Sequence, residues 1–334
     1  MATRPWGPCV NPVIIAHLPT PIERAPRLGE ILGISDLWIK RDDLTGLALG
    51  GNKVRKLDLL VKDAVDQGCN VLVTGGGRQS NHARVTAAAA NRFGIECHLA
   101  LSGPKPERYE GNLLMCHLLG ATIHFNSGNE YYEIEESILN ISDQLAESGG
   151  LPYPIPIGGA STIGVGAYEL AAHEIEDQFA AVDNLAMDWI VVADGSGGTH
   201  AGLLLGLGAS NTRVLGVDVG TRPDLDEAVP ELVKSTAEFL CVANNMGRVF
   251  VDHDHVGPGY GRASDQTISA LRTAAQSEGL ILDPVYTAKA LDALRTHAAD
   301  GRINGRVVFL HTGGTPALFT HEHEGLLREE ADTN

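Results

Sequence analysis

Along residues 54–67 the apolar positions Val54, Leu57, Leu60, Val61, Ala64 and Val65 recur every three or four residues, which predicts a helix with Lys53 at its start. Short apolar runs alternate with such helical stretches. Strands are expected at 37–40, 71–74, 97–101 and 121–125, and helices over 80–92, 111–119 and 131–147, with a short helix ending near Gly33. This β-α-β-α order implies a mainly parallel sheet covered on both faces. The proline-rich stretch 151–156, followed by Gly158-Gly159, breaks the rhythm and is expected to carry the chain between domains. A second α/β series follows, with strands at 189–193, 213–218 and 307–310 and a helix over 225–242. Residues 1–20 are expected to form an extended arm, and 329–334 a loose tail.

The 334 residues suffice for two domains with real cores, and 20% charged residues is ordinary for a soluble globular chain. No apolar run approaches the roughly 18 residues a membrane span needs. The N-terminus shows no secretory signal, so a cytoplasmic location is expected. A net charge of −17 argues against nucleic acid or an anionic membrane as partner, because both require a basic face. Cys9, Cys69, Cys97, Cys116 and Cys241 contain no C-x-x-C pair and read as reduced thiols, with Cys97 and Cys116 in the core. The pairs His253/His255 and His321/His323 decorate loops, and no metal is expected.

Among seven lysines, only Lys53 stands in a glycine-rich loop, Gly50-Gly51-Asn52-Lys53, behind a strand-like run. Glycine lets a flat ligand approach closely, and a lysine whose pKa is lowered by burial or a cationic neighbour can form a Schiff base with a carbonyl compound. Farther on, Gly195-Ser196-Gly197-Gly198-Thr199 follows a strand and opens a helix, the arrangement of a phosphate cup. It contains neither a Walker lysine nor a full dinucleotide fingerprint. A lysine anchor together with a phosphate cup is what pyridoxal phosphate requires. Ser80 and Asn81 stand at a strand-to-helix junction, where helix capping is the ordinary role.

These motifs, with Arg41-Asp42-Asp43-Leu44 and Gln79-Ser80-Asn81-His82, resemble the fold-type II pyridoxal-phosphate enzymes of the 1-aminocyclopropane-1-carboxylate deaminase and D-cysteine desulfhydrase family, from about residue 12 to about 325. The resemblance implies a two-domain, tryptophan-synthase-β-like α/β fold with open, mainly parallel twisted sheets. Its large domain would be 1–53 plus 166–334, its small domain 54–165, with the active site between them and the protein a homodimer. It implies Lys53 as covalent anchor and base. Asn52, Asn81, Gly195, Ser196, Gly197, Gly198, Thr199, Thr287 and Thr312 would hold the cofactor, Asn81 on its ring hydroxyl and Thr287 at its pyridine nitrogen. Gln79, Ser80, Asn81, His82, Tyr260 and Tyr286 would line the substrate site, with Ser80, Tyr260 and Tyr286 also catalytic.

The small amino-acid substrate expected is D-cysteine. Thr287 stands where aminocyclopropane deaminases carry glutamate, and His82 departs from their Gln-Ser-Asn-Gln, so the deaminase is the runner-up. Arg78 raises an L-cysteate sulfo-lyase as a further possibility. Outside the family, a nucleotide-dependent dehydrogenase or a small-molecule binding protein would explain the glycine loops without needing Lys53.

Overall fold

The computed structural model describes residues 14–128, 130–183 and 186–328. In chain order the strands and α-helices are β1 (Ile22–Arg24), α1 (Pro26–Leu32), β2 (Asp36–Lys40), α2 (Asn52–Asp66), β3 (Val71–Gly76), α3 (Asn81–Phe93), β4 (Glu96–Ser102), α4 (Gly111–Leu118), β5 (Thr122–Asn126), α5 (Tyr131–Glu147) and β6 (Pro152–Pro154). They continue as α6 (Thr162–Val182), β7 (Trp189–Asp194), α7 (Gly198–Leu207), β8 (Arg213–Asp218), α8 (Leu225–Leu240), β9 (Phe250–Asp252), α9 (Asp265–Glu278), α10 (Thr287–Ala299), β10 (Arg306–Leu310) and α11 (His321–Arg328).

The strands form two sheets. One has six strands in the order β1-β2-β10-β7-β8-β9, the other four in the order β5-β4-β3-β6. Every pairing is parallel except β1 with β2. Parallel strands need helical crossovers, so both faces of a parallel sheet are covered and its strands become apolar throughout. Accordingly β7, β10 and β3 are buried along their whole length. Separate apolar cores lie on the two faces of the larger sheet: α1, α9 and α10 pack on one, α6, α7 and α8 on the other.

Three differences from the sequence reading have clear causes. The proline-rich stretch is in part a strand: β6 pairs with β3 in the register Val71↔Pro152, and it lies at the sheet edge, where an imino acid forfeits no inner ladder bond. β1 is a three-residue antiparallel edge strand, too short for its alternation to show. α6, a 21-residue helix, escaped notice because it is wedged between α2, α7 and α8 and buries so many of its residues that no polar stripe marks it. The expected arm (1–20) falls mostly, and Cys9 and the tail (329–334) wholly, outside the described residues.

A buried polar network fixes the start of α2. Asp42 receives Arg55 Nε at 2.9 Å and Nη2 at 2.8 Å, the Thr20 hydroxyl at 2.8 Å and the Tyr168 hydroxyl of α6. Arg55 and Lys40 both reach Glu174 of α6. Burial opposes the Asp42 charge, yet Arg55, together with the Tyr168 hydroxyl and Lys40, more than offsets it and holds the carboxyl below its usual range. The helix that carries Lys53 is therefore clamped from both flanks.

Among the described residues no helix is long and apolar enough to cross a membrane. Cys69, Cys97, Cys116 and Cys241 are free thiols, and Cys97 and Cys116 are buried. No group of three His, Cys, Asp or Glu among the described residues is arranged to hold a metal. His253 is instead held by Asp218 and Asp226, His255 by Asp252, and His323 by the Thr320 hydroxyl and the Ala317 carbonyl.

Candidate active site

The carboxyl ends of strands from both sheets converge on one cleft. β7 delivers Ala193, Gly195 and Ser196, the exit of β8 delivers Thr221, and the exit of β10 delivers Thr312. From the smaller sheet, β3 and the start of α3 contribute Gly76, Gly77, Ser80, Asn81 and His82. Ligands bind at strand carboxyl ends in open parallel sheets because the loops there are free to diverge and the following helix N-termini point inward.

Lys53 projects into this cleft from the first turn of α2. Burial lowers its pKa to about 8, an effect that Asp194 partly offsets. Three residues on, Lys56 is fully buried, and burial, reinforced by the charge of Lys53, drives its pKa well below the usual value. Its Nζ donates to the Gly158 carbonyl at 3.0 Å. A Cβ on Gly198 would stand 2.7 Å from that Nζ, so Lys56 lies directly over the first residue of α7. The sequence reading missed Lys56. The i, i+3 spacing from Lys53 was the available signal, since it puts both amines on one helix face.

The glycine run has divided duties. Gly195 borders the cleft beside Thr221. Gly197, with φ +83°, faces Leu232 and Val229 of α8, and its N–H is taken by Asp194 at 2.9 Å. It makes the turn and does not border the cleft. Gly198 and Thr199 open α7, whose first-turn N–H groups have no carbonyl within the helix. Thr199 is buried, and its hydroxyl receives Asn52 Nδ2 at 3.0 Å, which ties the Lys53 loop to α7.

On the opposite wall Ser80 caps α3, its Oγ accepting from Ala83 N at 3.2 Å, which leaves its own hydrogen free to donate. Asn81 Oδ1 receives Asn112 Nδ2 at 3.0 Å, so its NH₂ is the end available to the cleft. His82 is buried, neither ring nitrogen has a partner, and burial followed by the charges of Lys53 and Lys56 holds its pKa well below the usual value. Tyr260 and Tyr286 complete the wall with hydroxyls 2.6 Å apart. Burial pushes the Tyr260 pKa up to about 12 and that of Tyr286 well above its usual value, so both are neutral phenols that donate hydrogen bonds. A Cβ on Gly77 would lie 2.3 Å from the Tyr260 ring, so only glycine lets this ring from the larger sheet's side rest against the smaller.

Besides Gly197, two expected site residues lie off the cleft, and so does Arg78, the candidate sulfonate partner. Gln79 does not border the cleft: its Oε1 accepts from Asn112 N at 2.9 Å and its Nε2 donates to the Glu110 carbonyl at 3.1 Å, fastening the start of α4. Thr287 is buried behind the wall, and its hydroxyl donates to Asp283 Oδ1 at 2.7 Å and accepts from Asp283 N at 2.8 Å. It belongs to the turn that starts α10, and Thr312 is the one of the two hydroxyl residues that reaches the cleft. Arg78 is exposed and lies off the cleft.

These residues fit pyridoxal phosphate. Lys53 offers a cleft-facing amine for an aldehyde, and glycine at 158 leaves a space where a Cβ would be 2.4 Å from Ser196 Oγ. The Lys56 amine and the first-turn N–H groups of α7 supply hydrogen-bond donors for a phosphate, and the α7 dipole favours its negative charge.

Comparison with known proteins agrees. The pyridoxal-phosphate dependent enzyme family matches residues 13–313. The chain is 37% identical to D-cysteine desulfhydrase from Serratia proteamaculans (strain 568), over 90% of this chain and 93% of that protein. It is 40% identical to the mitochondrial bifunctional D-cysteine desulfhydrase/1-aminocyclopropane-1-carboxylate deaminase of Arabidopsis thaliana, over 91% and 78% respectively. A solved structure described as an ACC deaminase homologue superposes with a TM-score of 0.87 at 37% identity, covering 94% of each chain. Threonine deaminase isoform 2 from Solanum lycopersicum shares the fold at 18% identity, with a TM-score of 0.64. The converging strand ends, the cleft lysine and these relatives agree: the chain belongs to the pyridoxal-phosphate dependent enzymes and has the fold-type II architecture.

Proposed function

We propose that this protein is a carbon–sulfur lyase that converts D-cysteine to pyruvate, ammonia and hydrogen sulfide. The observation that carries the reading is the Lys53 amine, set in the cleft with its pKa lowered to about 8, opposite a wall of neutral hydrogen-bond donors. Bound pyridoxal phosphate supplies a carbonyl that condenses with amines and an electron sink for a carbanion at Cα. Lys53 Nζ takes the Cα proton, and its lowered pKa keeps a useful fraction unprotonated near neutral pH. The Ser80 hydroxyl and the Asn81 amide orient the substrate carboxylate and the cofactor ring respectively. Tyr260, a neutral phenol, can hand a proton to the departing sulfur. Loss of the Cα proton and the Cβ–S bond, then addition of one water, balances the products.

The relatives also support aminocyclopropane carboxylate as a substrate, since the Arabidopsis thaliana protein carries both activities in its name. With Thr287 turned to Asp283, that residue no longer argues against it. An exposed Arg78 removes the support for L-cysteate. Family membership stands against a dehydrogenase or a plain binding protein.

We further read residues 1–53 with 166–334 as one domain and 54–165 as the other, a division supported by β3 to β6 forming their own sheet. Leu114 and Leu118, exposed on α4, and Phe319 beside them support a homodimer contact, and four free thiols suit the cytoplasm.

The test is release of keto acid from D-cysteine, L-cysteine, β-chloro-D-alanine, L-cysteate and 1-aminocyclopropane-1-carboxylate. D-cysteine is expected to be fastest. If the cyclopropane is opened faster, the deaminase reading replaces this one. Lys53→Ala is expected to abolish turnover, and borohydride should fix the cofactor to Lys53 and to no other lysine.

A further inference from the structure

Lys289 is fully buried at the start of α10, and its Nζ points at three backbone carbonyls. The distances are 2.7 Å to Val256 O, 2.8 Å to Gly259 O and 3.4 Å to Val219 O. All three of these hydrogen bonds go to carbonyl oxygens. An ammonium has three donors and a neutral amine only two, so three inward-pointing carbonyls match the charged form. Burial lowers its pKa to about 8, which the charges of Asp283 and Asp218 partly offset, and the groups that touch the amine directly are the three carbonyls.

We propose that these carbonyls form a monovalent-cation site whose occupant is the tethered ammonium of Lys289, and that this cation positions Tyr260 and Tyr286 on the cleft wall. Carbonyl rings that replace an ion's hydration shell select large monovalent cations, and the two shorter distances exceed the roughly 2.3–2.6 Å of calcium–oxygen contacts.

The segments joined by the cage all carry cleft residues. Val219 leads to Thr221, Val256 and Gly259 bracket the turn into Tyr260, and α10 begins after Tyr286. A Cβ on Gly220 would lie 2.9 Å from Val256 and 3.0 Å from Tyr260 N, so the first two segments are already in close contact and the ammonium fastens the third to them. Lys289 touches neither substrate nor cofactor in this arrangement; it is a positioning residue. Tethering the cation to α10 makes the site independent of ion supply.

The experiment compares wild type, Lys289→Ala and Lys289→Met as holoenzymes in choline, lithium, potassium, rubidium and ammonium chlorides. Melting temperature, kcat and KM for D-cysteine are read in each. Wild type is expected to be indifferent to the salt. Lys289→Ala, with the cage vacated, is expected to lose about 10- to 100-fold in kcat/KM in choline or lithium, the scale of losing two or so charge-assisted hydrogen bonds. Potassium, rubidium or ammonium should restore about tenfold of it and raise the melting temperature. Lys289→Met fills the space with an uncharged stem and should be impaired in every salt.

Equal impairment of Lys289→Ala in all chlorides would make the amine a simple strut, and full activity of Lys289→Met would show that no cation is needed; either overturns the proposal. If Lys289→Ala does not fold in sodium, its refolding yield is compared between lithium and potassium with the same two outcomes. Melting does not depend on the substrate, so failure of D-cysteine turnover in wild type would sink the proposed reaction and leave the cation arm standing or falling by itself.

Discussion

Two turns of the same kind face each other across the cleft, one from β3 into α3 and one from β7 into α7, and they use opposite means. The first presents side chains: Ser80, Asn81 and His82 all border the cleft from the start of α3. The second presents backbone, with Gly195 at the surface and the first N–H groups of α7 beneath the Lys56 amine. A phosphate is the same in every amino-acid reaction, so fixed main-chain donors suit it. A substrate differs from enzyme to enzyme, and replaceable side chains suit that. On the proposed reading, the backbone turn holds the cofactor phosphate, while the side-chain turn meets the substrate and, through Asn81, the cofactor ring.

The largest expected effect tests the backbone turn. Gly198→Val would place a branched side chain 2.7 Å from Lys56 Nζ and 3.1 Å from Ala160 Cα, so cofactor affinity measured by equilibrium dialysis should fall about 100-fold or more. If affinity holds while turnover falls, the division between the turns is wrong. On the side-chain turn, Ser80→Ala should lower kcat/KM by about 10- to 100-fold with cofactor affinity changed less than about threefold, alongside a cap loss of about 1 kcal/mol in melting experiments.

Between the turns, Lys53 stores charge strain. Its folded pKa of about 8 lies below the usual 10.5, so the unfolded chain binds more protons between these values. The penalty is present in full below pH 8 and fades as pH rises toward 10.5. Lys53→Met should therefore make the apoprotein more stable at neutral pH by about 1–3 kcal/mol, and the gap to wild type should close with rising pH in urea titrations. The smallest effect is expected at Gln79→Ala: kcat/KM within about threefold of wild type and a stability loss near 1 kcal/mol, because this amide ties α4 and does not meet substrate.

Elements whose pattern is local were legible in the sequence. The helix at 131–147 has a regular apolar face and a boxed N-terminus at Glu130 and Glu133, and it occupies the expected residues. α6 was illegible because contacts with three other helices, and not its own period, decide its burial. In the site, Lys53 and the glycine run announced themselves through unusual neighbours in the chain. The orientations of Gln79 and Thr287 could not, because each depends on where its hydrogen-bonding group finds a partner: Gln79 on Asn112 and Glu110, more than thirty positions away, and Thr287 on Asp283 at the preceding turn. Thr221 was within reach, since it follows the end of a strand beside β7 in the parallel sheet.

The strand order also has a consequence for synthesis. β3 to β6 are contiguous in the chain, so the four-stranded sheet has all its strands once the ribosome has passed residue 154. β2 pairs with β10, from Asp36↔Arg306 to Lys40↔Leu310, and must wait roughly 270 residues for that partner. During that interval an apolar strand and one rim of β7 stay uncovered on the nascent chain, the condition in which half-made parallel sheets aggregate. At roughly 5–20 residues per second the delay lasts on the order of ten seconds to a minute. Demand for chaperones during translation should therefore concentrate on the six-stranded sheet, and ribosome-bound chains halted far enough past β6 for it to have left the exit tunnel, but before β10, should show protease protection over 71–154 before any appears at β2.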